Sequence, residues 1–221
     1  MVKLSGVEMT YMNSNEYSIH QIFPQSIYIC EGVCTDILED LEIYSKKYQK
    51  EYGTSRNQVL YVDSAHTTIS SKLKHLYPFN FLAEQIKIHV SNYANELGYR
   101  ISADNIHIDN MWFNISNQGD FNFFHAHGDC HFAGVFYVKT NPENDIIFVH
   151  PQYHNAQIQD PVDYNHLSYS SMAYKCIPSY IMVWRNYMIH STPRQMEEGE
   201  KIVISFNTSI KKNYDGVTDG L

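Results

Sequence analysis

The chain has 221 residues, which is long enough for one well-buried domain and lies in the size range of single all-β domains. Its 16 basic and 24 acidic residues give a formal net charge of -8, which disfavours a broad binding surface for nucleic acid or anionic membranes. No apolar run is long enough to span a membrane, and the N-terminus lacks a basic-then-apolar secretory pattern, so we expect a cytoplasmic protein. The sequence gives no indication of an oligomeric state.

Two amphipathic helices are predicted in the first half of the chain. Between residues 35 and 53, apolar or aromatic side chains recur every three or four positions, and a glycine follows as a helix terminator. A second stripe with the same spacing runs from residue 79 to residue 97, again followed by a glycine. Such stripes are typical of helices that pack one face against a protein core.

From about residue 106 onward, short β-type runs alternate with turn-forming clusters, which is typical of a sandwich or barrel. The polar segment at residues 152–174 has no clear period, and we expect a long loop over the mouth of the site. The sequence therefore predicts one domain over residues 1–221, with a helical part at about 1–105 and a β core at about 106–210. The predicted strands cover residues 106–115, 131–138, 146–149, 180–184 and 202–206.

Three histidines give the strongest chemical signal. His125 and His127 are one residue apart, so both side chains can point the same way from an extended strand. A third imidazole, that of His190, can arrive from a distant strand. A jelly roll, or double-stranded β-helix, builds a facial iron site in this way and leaves coordination positions open for a cosubstrate and oxygen.

Six short motifs, which run in a fixed order from Trp112-Phe113-Asn114 through His125-x-His127 and His190 to residues 201–207, resemble one family of enzymes, the 2-oxoglutarate- and Fe(II)-dependent oxygenases of bacteria and marine phages. The resemblance extends upstream to residues 22–28 and 93–98, and so covers nearly the whole chain. If the chain is encoded by a phage, the expected location is the host cytoplasm. The six motifs are Trp112-Phe113-Asn114, His125-x-His127, residues 133–138, residues 147–151, His190 and residues 201–207.

The resemblance implies a mainly β fold with N-terminal helices, built around a cupin-like double-stranded β-helix. It also implies an oxidoreductase, a dioxygenase in which 2-oxoglutarate chelates Fe(II) and is decarboxylated to succinate while a prime substrate is hydroxylated. The partners are then 2-oxoglutarate, molecular oxygen and a prime substrate that the sequence does not disclose. His125, His127 and His190 match the metal-binding histidines of the family.

The ligand set has an alternative. His127-Gly128-Asp129 also fits the His-x-Asp start of the usual triad of two histidines and one carboxylate, which would leave His125 as a neighbour of the metal. We favour the three histidines because the interval from His125 to Tyr137 fits the family pattern better. Three imidazoles leave the metal its full positive charge, so a dianionic cosubstrate would supply the compensation that Asp129 otherwise provides.

For the distal carboxylate of 2-oxoglutarate, the family places a basic residue at the start of the last core strand, and Lys201 stands at this position. Arg194, four residues after His190, is the competing anchor. The hydroxyl of Tyr137 and the amide of Asn114 are further candidates for contact with the cosubstrate. Asn207 matches the last motif of the family, but the sequence gives it no chemical role.

Two other functions stay open at the level of the sequence. The first is a jelly-roll module without catalytic activity, in which the histidines bind zinc or no metal. The second is a three-histidine dioxygenase that needs no 2-oxoglutarate. The remaining large aromatic side chains of the β core, Trp112, Phe148 and Trp184, are expected to fill the interior of the barrel.

Overall fold

A computed structural model describes residues 25–56, 65–67, 70–150, 162–163, 165 and 168–211. Most of the loop predicted at residues 152–174 lies outside the described residues, as does the start of the upstream motif at residues 22–28. Within the described part, neither α-helix is both long and apolar enough to cross a bilayer.

Two α-helices lie where the two apolar stripes predict them, and a 3-10 turn at Thr35–Ile37 leads into the first. They are α1 (Leu38–Tyr52) and α2 (Phe79–Glu96). The described strands are β1 (Ile27–Cys30), β2 (Thr54–Arg56), β3 (Ala65–Thr67), β4 (Ile106–Ser116), β5 (Asn122–His125), β6 (Phe132–Lys139), β7 (Asp145–Val149), β8 (Ser171–Lys175), β9 (Ile181–Arg185), β10 (Ile189–Thr192) and β11 (Lys201–Ile210).

The strands form two antiparallel sheets. One has seven strands in the order β1-β9-β6-β11-β4-β3-β2, and the other has four strands in the order β5-β10-β7-β8. The non-sequential order in both sheets, with strands crossing repeatedly between them, is that of a jelly roll rather than a simple meander. The fold class predicted from the sequence is confirmed.

The alternation of side chains along the central strands separates a core from a cavity. In β11, Ile202, Ile204 and Phe206 point to the side of the helices and belong to the main hydrophobic core. The residues that alternate with them, Lys201 and Val203, line a cavity on the opposite face of the sheet. The neighbouring strand β4 alternates in the same way: Trp112, Asn114 and Ser116 face the cavity, and the apolar residues between them belong to the main core.

The sequence analysis missed six of the strands. β1, β2 and β3 lie in the part that we predicted to be helical, yet all three join the edges of the seven-stranded sheet. β8 occupies the end of the segment that we predicted to be a loop. The remaining two, β5 and β10, have only four residues each. Strands this short show too few periods for alternation to be recognised, and their pairing with distant strands supplies the missing stabilisation.

Gly134 in the middle of β6 is a packing requirement. A Cβ atom at this position would lie 2.3 Å from the Phe206 ring and 2.6 Å from the Met182 carbonyl oxygen. Because the second contact is with backbone, rotation of a side chain cannot relieve it. The glycine therefore leaves the space in which the Phe206 ring packs against β6.

We expect Gly134→Ala to lower the free energy of unfolding by about 1–3 kcal/mol, the range for overpacking in a dense core. Urea unfolding would measure the loss. Gly128→Ala is the matched control, since a Cβ atom at that glycine meets nothing within 4 Å. Equal losses in the two variants would contradict the packing role.

Candidate metal centre and cosubstrate cavity

A cavity of about 460 Å³ lies between the two sheets. Residues of β4, β6, β9 and β11 form its wall on one side, and residues of β5, β7 and β10 form it on the other. A volume of this order is typical of pockets that hold a small molecule or a cofactor.

The three predicted histidines meet in the wall of this cavity. The pairing of β5 with β10 places His125 opposite His190, with their ring centroids 4.3 Å apart. His127 lies two residues beyond the end of β5, and its ring is parallel to that of His190 within 7° at a centroid distance of 5.2 Å. One possible ligand atom from each histidine lies within 4.8 Å of the other two.

Backbone carbonyl groups orient two of these rings. The Nδ1 atom of His125 lies 2.7 Å from the carbonyl oxygen of Phe123, and that of His190 lies 3.0 Å from the carbonyl oxygen of Met188. Because a carbonyl only accepts, each Nδ1 carries the hydrogen and each Nε2 keeps a lone pair. Histidines that bind metals are oriented in this way by their second nitrogen.

The distances between the free nitrogens suit a metal ion. The Nε2 atoms of His127 and His190 are 3.4 Å apart. Metal–imidazole bonds of about 2.1 Å that meet at right angles would put neighbouring nitrogens about 3 Å apart. Two lone pairs this close repel each other, and a cation between them would remove the repulsion.

Burial keeps two of the imidazoles neutral. It lowers the pKa of His127 to about 4 and that of His190 to about 3, and the nearby ring of His125 adds to both shifts. Both rings are therefore deprotonated at neutral pH, and neutral imidazole is the form that binds a divalent metal.

Asn207 is a part of the site to which the sequence gave no role. It raises the pKa of His127, as an acceptor beside a protonated ring would, so its amide faces that imidazole. Its Oδ1 atom is buried and has no partner at ordinary hydrogen-bond distance within the described residues. The only signal in the sequence was the place of Asn207 at the end of the last family motif.

Asp129 lies apart from the imidazoles. Its side chain is exposed, and the only group of metal-binding side chains found in the described part of the chain consists of the three histidines. The turn after His127 explains the separation, because the chain there is no longer extended and alternation no longer decides where side chains point.

Lys201 is a buried cation that faces the same cavity. Only 5% of its surface is exposed, and its ammonium group forms no ion pair or hydrogen bond with any described residue. Burial lowers the pKa of its ammonium group, while the nearby Cys176 and Asp120 act in the opposite direction. An unpaired buried charge costs several kcal/mol, so this position is suited to an anionic ligand.

Asn114 and Tyr137 lie on either side of Val203, which follows Lys201 along the cavity face of β11. Asn114 pairs with Val203 from β4, and Tyr137 pairs with it from β6. The Asn114 Oδ1 atom is buried without a partner in the described part, and its Nδ2 atom lies 3.4 Å from the Ser205 hydroxyl. The Tyr137 side chain is fully buried, and its hydroxyl lies 3.9 Å from the Met182 sulfur. Both predicted residues thus border the space in front of Lys201.

Arg194, the competing anchor, lies outside this cavity. Its Nη1 atom donates to the Gly119 carbonyl at 2.9 Å, and its guanidinium group lies over the Phe121 ring at 4.9 Å. It lines a second, smaller cavity next to the first. The structure therefore brings Lys201, and not Arg194, into the same cavity as the three histidines.

Residues 110–207 match a family model described as "Putative 2OG-Fe(II) oxygenase". This segment contains all three histidines and the buried lysine. Residues 110–207 thus have the sequence pattern of this family. The predicted family, enzyme class and cofactors, Fe(II) and 2-oxoglutarate, are confirmed at this level.

Solved structures of 2OG-Fe(II) oxygenases share the fold at low sequence identity. An α-ketoglutarate-dependent epimerase, SnoN from nogalamycin biosynthesis, has a TM-score of 0.62 at 7% identity, over 89% of this chain and 86% of its own. HygX from Streptomyces hygroscopicus, with nickel and 2-oxoglutarate bound, has a TM-score of 0.56 at 8% identity, over 84% and 83%. A prolyl-4-hydroxylase from Pseudomonas putida has a TM-score of 0.56 at 11% identity, over 85% and 94%. No curated protein matches the sequence significantly.

Aromatic side chains enclose the histidines of this oxygenase domain. The Trp184 ring lies 4.7 Å from that of His190 and 5.1 Å from that of Phe148, in edge-on contacts. Both aromatic rings are buried, as the sequence predicts for the interior of the barrel. Trp112 is only half-buried and stands in the cavity wall, 6.2 Å from His127. These rings line the inner side of the site with aromatic surface.

The lowered pKa values of His127 and His190 predict a pH-dependent stability of the metal-free protein. Below about pH 6.5, the unfolded chain takes up protons that the folded chain does not. We therefore expect the free energy of unfolding to fall as the pH decreases from about 6.5 towards 4. His190→Gln removes one of these groups and should make the fall shallower.

Urea unfolding of the wild type and of His190→Gln at pH 7 and pH 5, without metal, measures how the free energy of unfolding of each protein changes with pH. Each protein is compared with itself, so a general loss of stability in the variant does not affect the result. An identical pH dependence would show that His190 is not buried as a neutral ring.

Proposed function

We propose that this chain binds Fe(II) through His125, His127 and His190 and binds 2-oxoglutarate through Lys201, and that it hydroxylates a prime substrate at this site. One observation supports the proposal above all: a buried ammonium group without a partner in the described residues lines the same cavity as three converging imidazoles. A metal ion and a dicarboxylate would satisfy both features at once.

The three histidines would occupy one face of the coordination sphere of the metal. Their Nε2 lone pairs are available because the carbonyl groups of Phe123 and Met188 accept the Nδ1 hydrogens of His125 and His190. The backbone N–H of His127 donates to the Asn186 carbonyl at 2.9 Å, which holds this residue in place beyond the end of β5. Three protein ligands on one face leave the opposite positions to small molecules.

Fe(II) and 2-oxoglutarate, when bound together with oxygen, supply an oxidant that hydroxylates carbon while 2-oxoglutarate is converted to succinate and carbon dioxide. The protein itself binds the reactants and excludes water. Lys201 would pair with the distal carboxylate as a point charge, in a setting where burial strengthens the pairing. Phe148 and Trp184 keep solvent away from the inner side of His190.

Asn114 would donate to the cosubstrate. A carboxylate only accepts, so the unpartnered Oδ1 atom would be unfavourable beside it. If the amide group is turned over, its Nδ2 atom faces the cavity and Oδ1 accepts from the Ser205 hydroxyl, which now lies 3.4 Å from Nδ2. Every polar group of the pair is then satisfied. Tyr137 would face the same carboxylate from β6.

The cytoplasmic location and the arrangement of the whole chain as one domain remain predictions from the sequence. The prime substrate is not identified by the comparisons, because the related structures act on unlike compounds and share only the fold. Within the described residues, the cavity wall is mostly apolar apart from the polar groups assigned above.

The metal-ligand assignment predicts opposite results for two neighbouring substitutions. His127→Ala should weaken Fe(II) or Ni(II) binding by more than about a hundredfold. Removal of a metal ligand should weaken metal binding more than removal of a residue that only orients a ligand. Asp129→Ala is the matched control and should bind the metal like the wild type. Anaerobic calorimetric titration measures both. Full binding by the first variant and loss in the second would move the ligand register to Asp129.

The cosubstrate assignment is tested by anaerobic titration of the Fe(II)-loaded protein with 2-oxoglutarate, followed by the charge-transfer absorption of the chelate. Lys201→Ala should weaken 2-oxoglutarate binding roughly ten- to a hundredfold, the value of a charge-assisted hydrogen bond, and leave Fe(II) binding unchanged. No chelate band in the wild type, with Fe(II) bound, would contradict the proposed function.

Lys201→Arg serves as the companion variant. Because burial lowers the pKa of Lys201, the wild type should lose 2-oxoglutarate affinity as the pH rises, and it should do so before an ordinary lysine would. Arginine stays protonated, so this variant should show a flatter dependence on alkaline pH.

A further inference from the structure

The second cavity, of about 230 Å³, adjoins the first along the strand β5. The two share Phe123, Phe124 and Thr192 in their walls. Phe123 and Phe124 are about half exposed, so aromatic surface continues from the histidine site to the outside of the protein. Exposed aromatic side chains that border a cavity are typical of a binding surface.

Arg194 stands in the wall of this outer cavity and is held rigidly. Its guanidinium group lies on the Phe121 ring at 4.9 Å and donates to the Gly119 carbonyl at 2.9 Å. The adjacent backbone is also fixed, because the N–H of Gln195 donates to the Asp120 carbonyl and the N–H of Gly119 donates to the Gln195 carbonyl. A guanidinium held in this way loses little entropy when it binds a ligand.

The charge of Arg194 is not neutralised by the described residues. No carboxylate of the described part lies within ion-pair distance of it, and the carboxylate of the adjacent Asp120 accepts from the backbone N–H of Asn117. One guanidinium N–H is used for Gly119, which leaves the other donors available for an oxyanion.

We propose that the outer cavity binds the prime substrate, and that this substrate has an apolar or aromatic body ending in a carboxylate or phosphate. The proposal rests on the proposed function. The oxyanion would be held by Arg194, and the body would lie along Phe121, Phe123 and Phe124 towards the histidines. Arg194 follows His190 by four residues, so the two Cα atoms lie at most about 13 Å apart, within the reach of a small substrate.

Binding of three probes to the protein loaded with Ni(II) and 2-oxoglutarate tests this assignment. The probes are 4-phenylbutyrate, 3-phenylpropyl phosphate and the neutral 4-phenylbutanol, and their dissociation constants are measured by ligand-observed NMR. We expect one or both anions to bind roughly ten- to a hundredfold more tightly than the alcohol. The comparison of the two anions distinguishes a carboxylate from a phosphate as the preferred group.

Arg194→Ala should abolish the preference for anions, and Arg194→Lys should keep part of it. Arg100→Ala, which removes an exposed arginine that lines neither cavity, is the matched control and should keep the preference. Phe121→Ala should weaken binding of all three probes and also reduce the preference, since the ring positions the guanidinium group.

Two results would overturn the inference. One is an equal affinity of the wild type for the anions and the alcohol. The other is a loss of 2-oxoglutarate binding in Arg194→Ala as large as that in Lys201→Ala, which would make Arg194 the cosubstrate anchor. A wild type that binds Fe(II) but no 2-oxoglutarate would instead contradict the proposed function, so the two failures are distinguishable.

Discussion

The antiparallel pairing of β5 with β10 is the constraint on which the rest of the site depends. It sets His125 directly opposite His190 and brings two imidazoles within 4.3 Å, although the residues are distant in the chain. A shift of the register by one residue would turn one of these rings to the other face of the sheet. Pairing of β10 with β7 on its other side then places Phe148 next to His190.

The two sheets contribute different chemistry to one cavity. The four-stranded sheet supplies two of the three imidazoles directly and the third from the turn after β5. The seven-stranded sheet supplies the polar face of Lys201, Asn114 and Tyr137. Neither sheet alone brings the three imidazoles and the ammonium group together, so the candidate site exists only because the sheets face each other.

The charge of the cavity differs from that of the whole chain. The whole chain has a net charge of -8, yet the cavity itself combines neutral imidazoles with a buried ammonium group. A divalent metal bound by three neutral ligands would make it more positive still, and a dicarboxylate would balance much of that charge. A jelly-roll module without catalytic activity gives no reason to bury Lys201 unpaired. A three-histidine dioxygenase independent of 2-oxoglutarate would explain the imidazoles and leave the lysine unexplained.

The sequence by itself determined the two helices, most of the central strands and the three histidines, because each has a strong local signal. Helical stripes, long alternating strands and a His-x-His pair can be recognised without knowing what packs on them. The family motifs pointed in the same way to Lys201. The same motifs left Asp129 open as an alternative metal ligand and Arg194 open as an alternative anchor for 2-oxoglutarate.

Only the tertiary structure shows which of these residues lie together in one cavity, because that depends on the face that each residue takes in space. The turn after His127 carries Asp129 outward, and the end of β10 leads Arg194 into a neighbouring cavity. Asn207 acquires a place beside His127 through the pairing of β11 with its neighbours, which no spacing in the sequence reveals. The strands β5 and β10 have only four residues each, too few for alternation to mark them in the sequence, and their long-range pairing makes them the frame of the site.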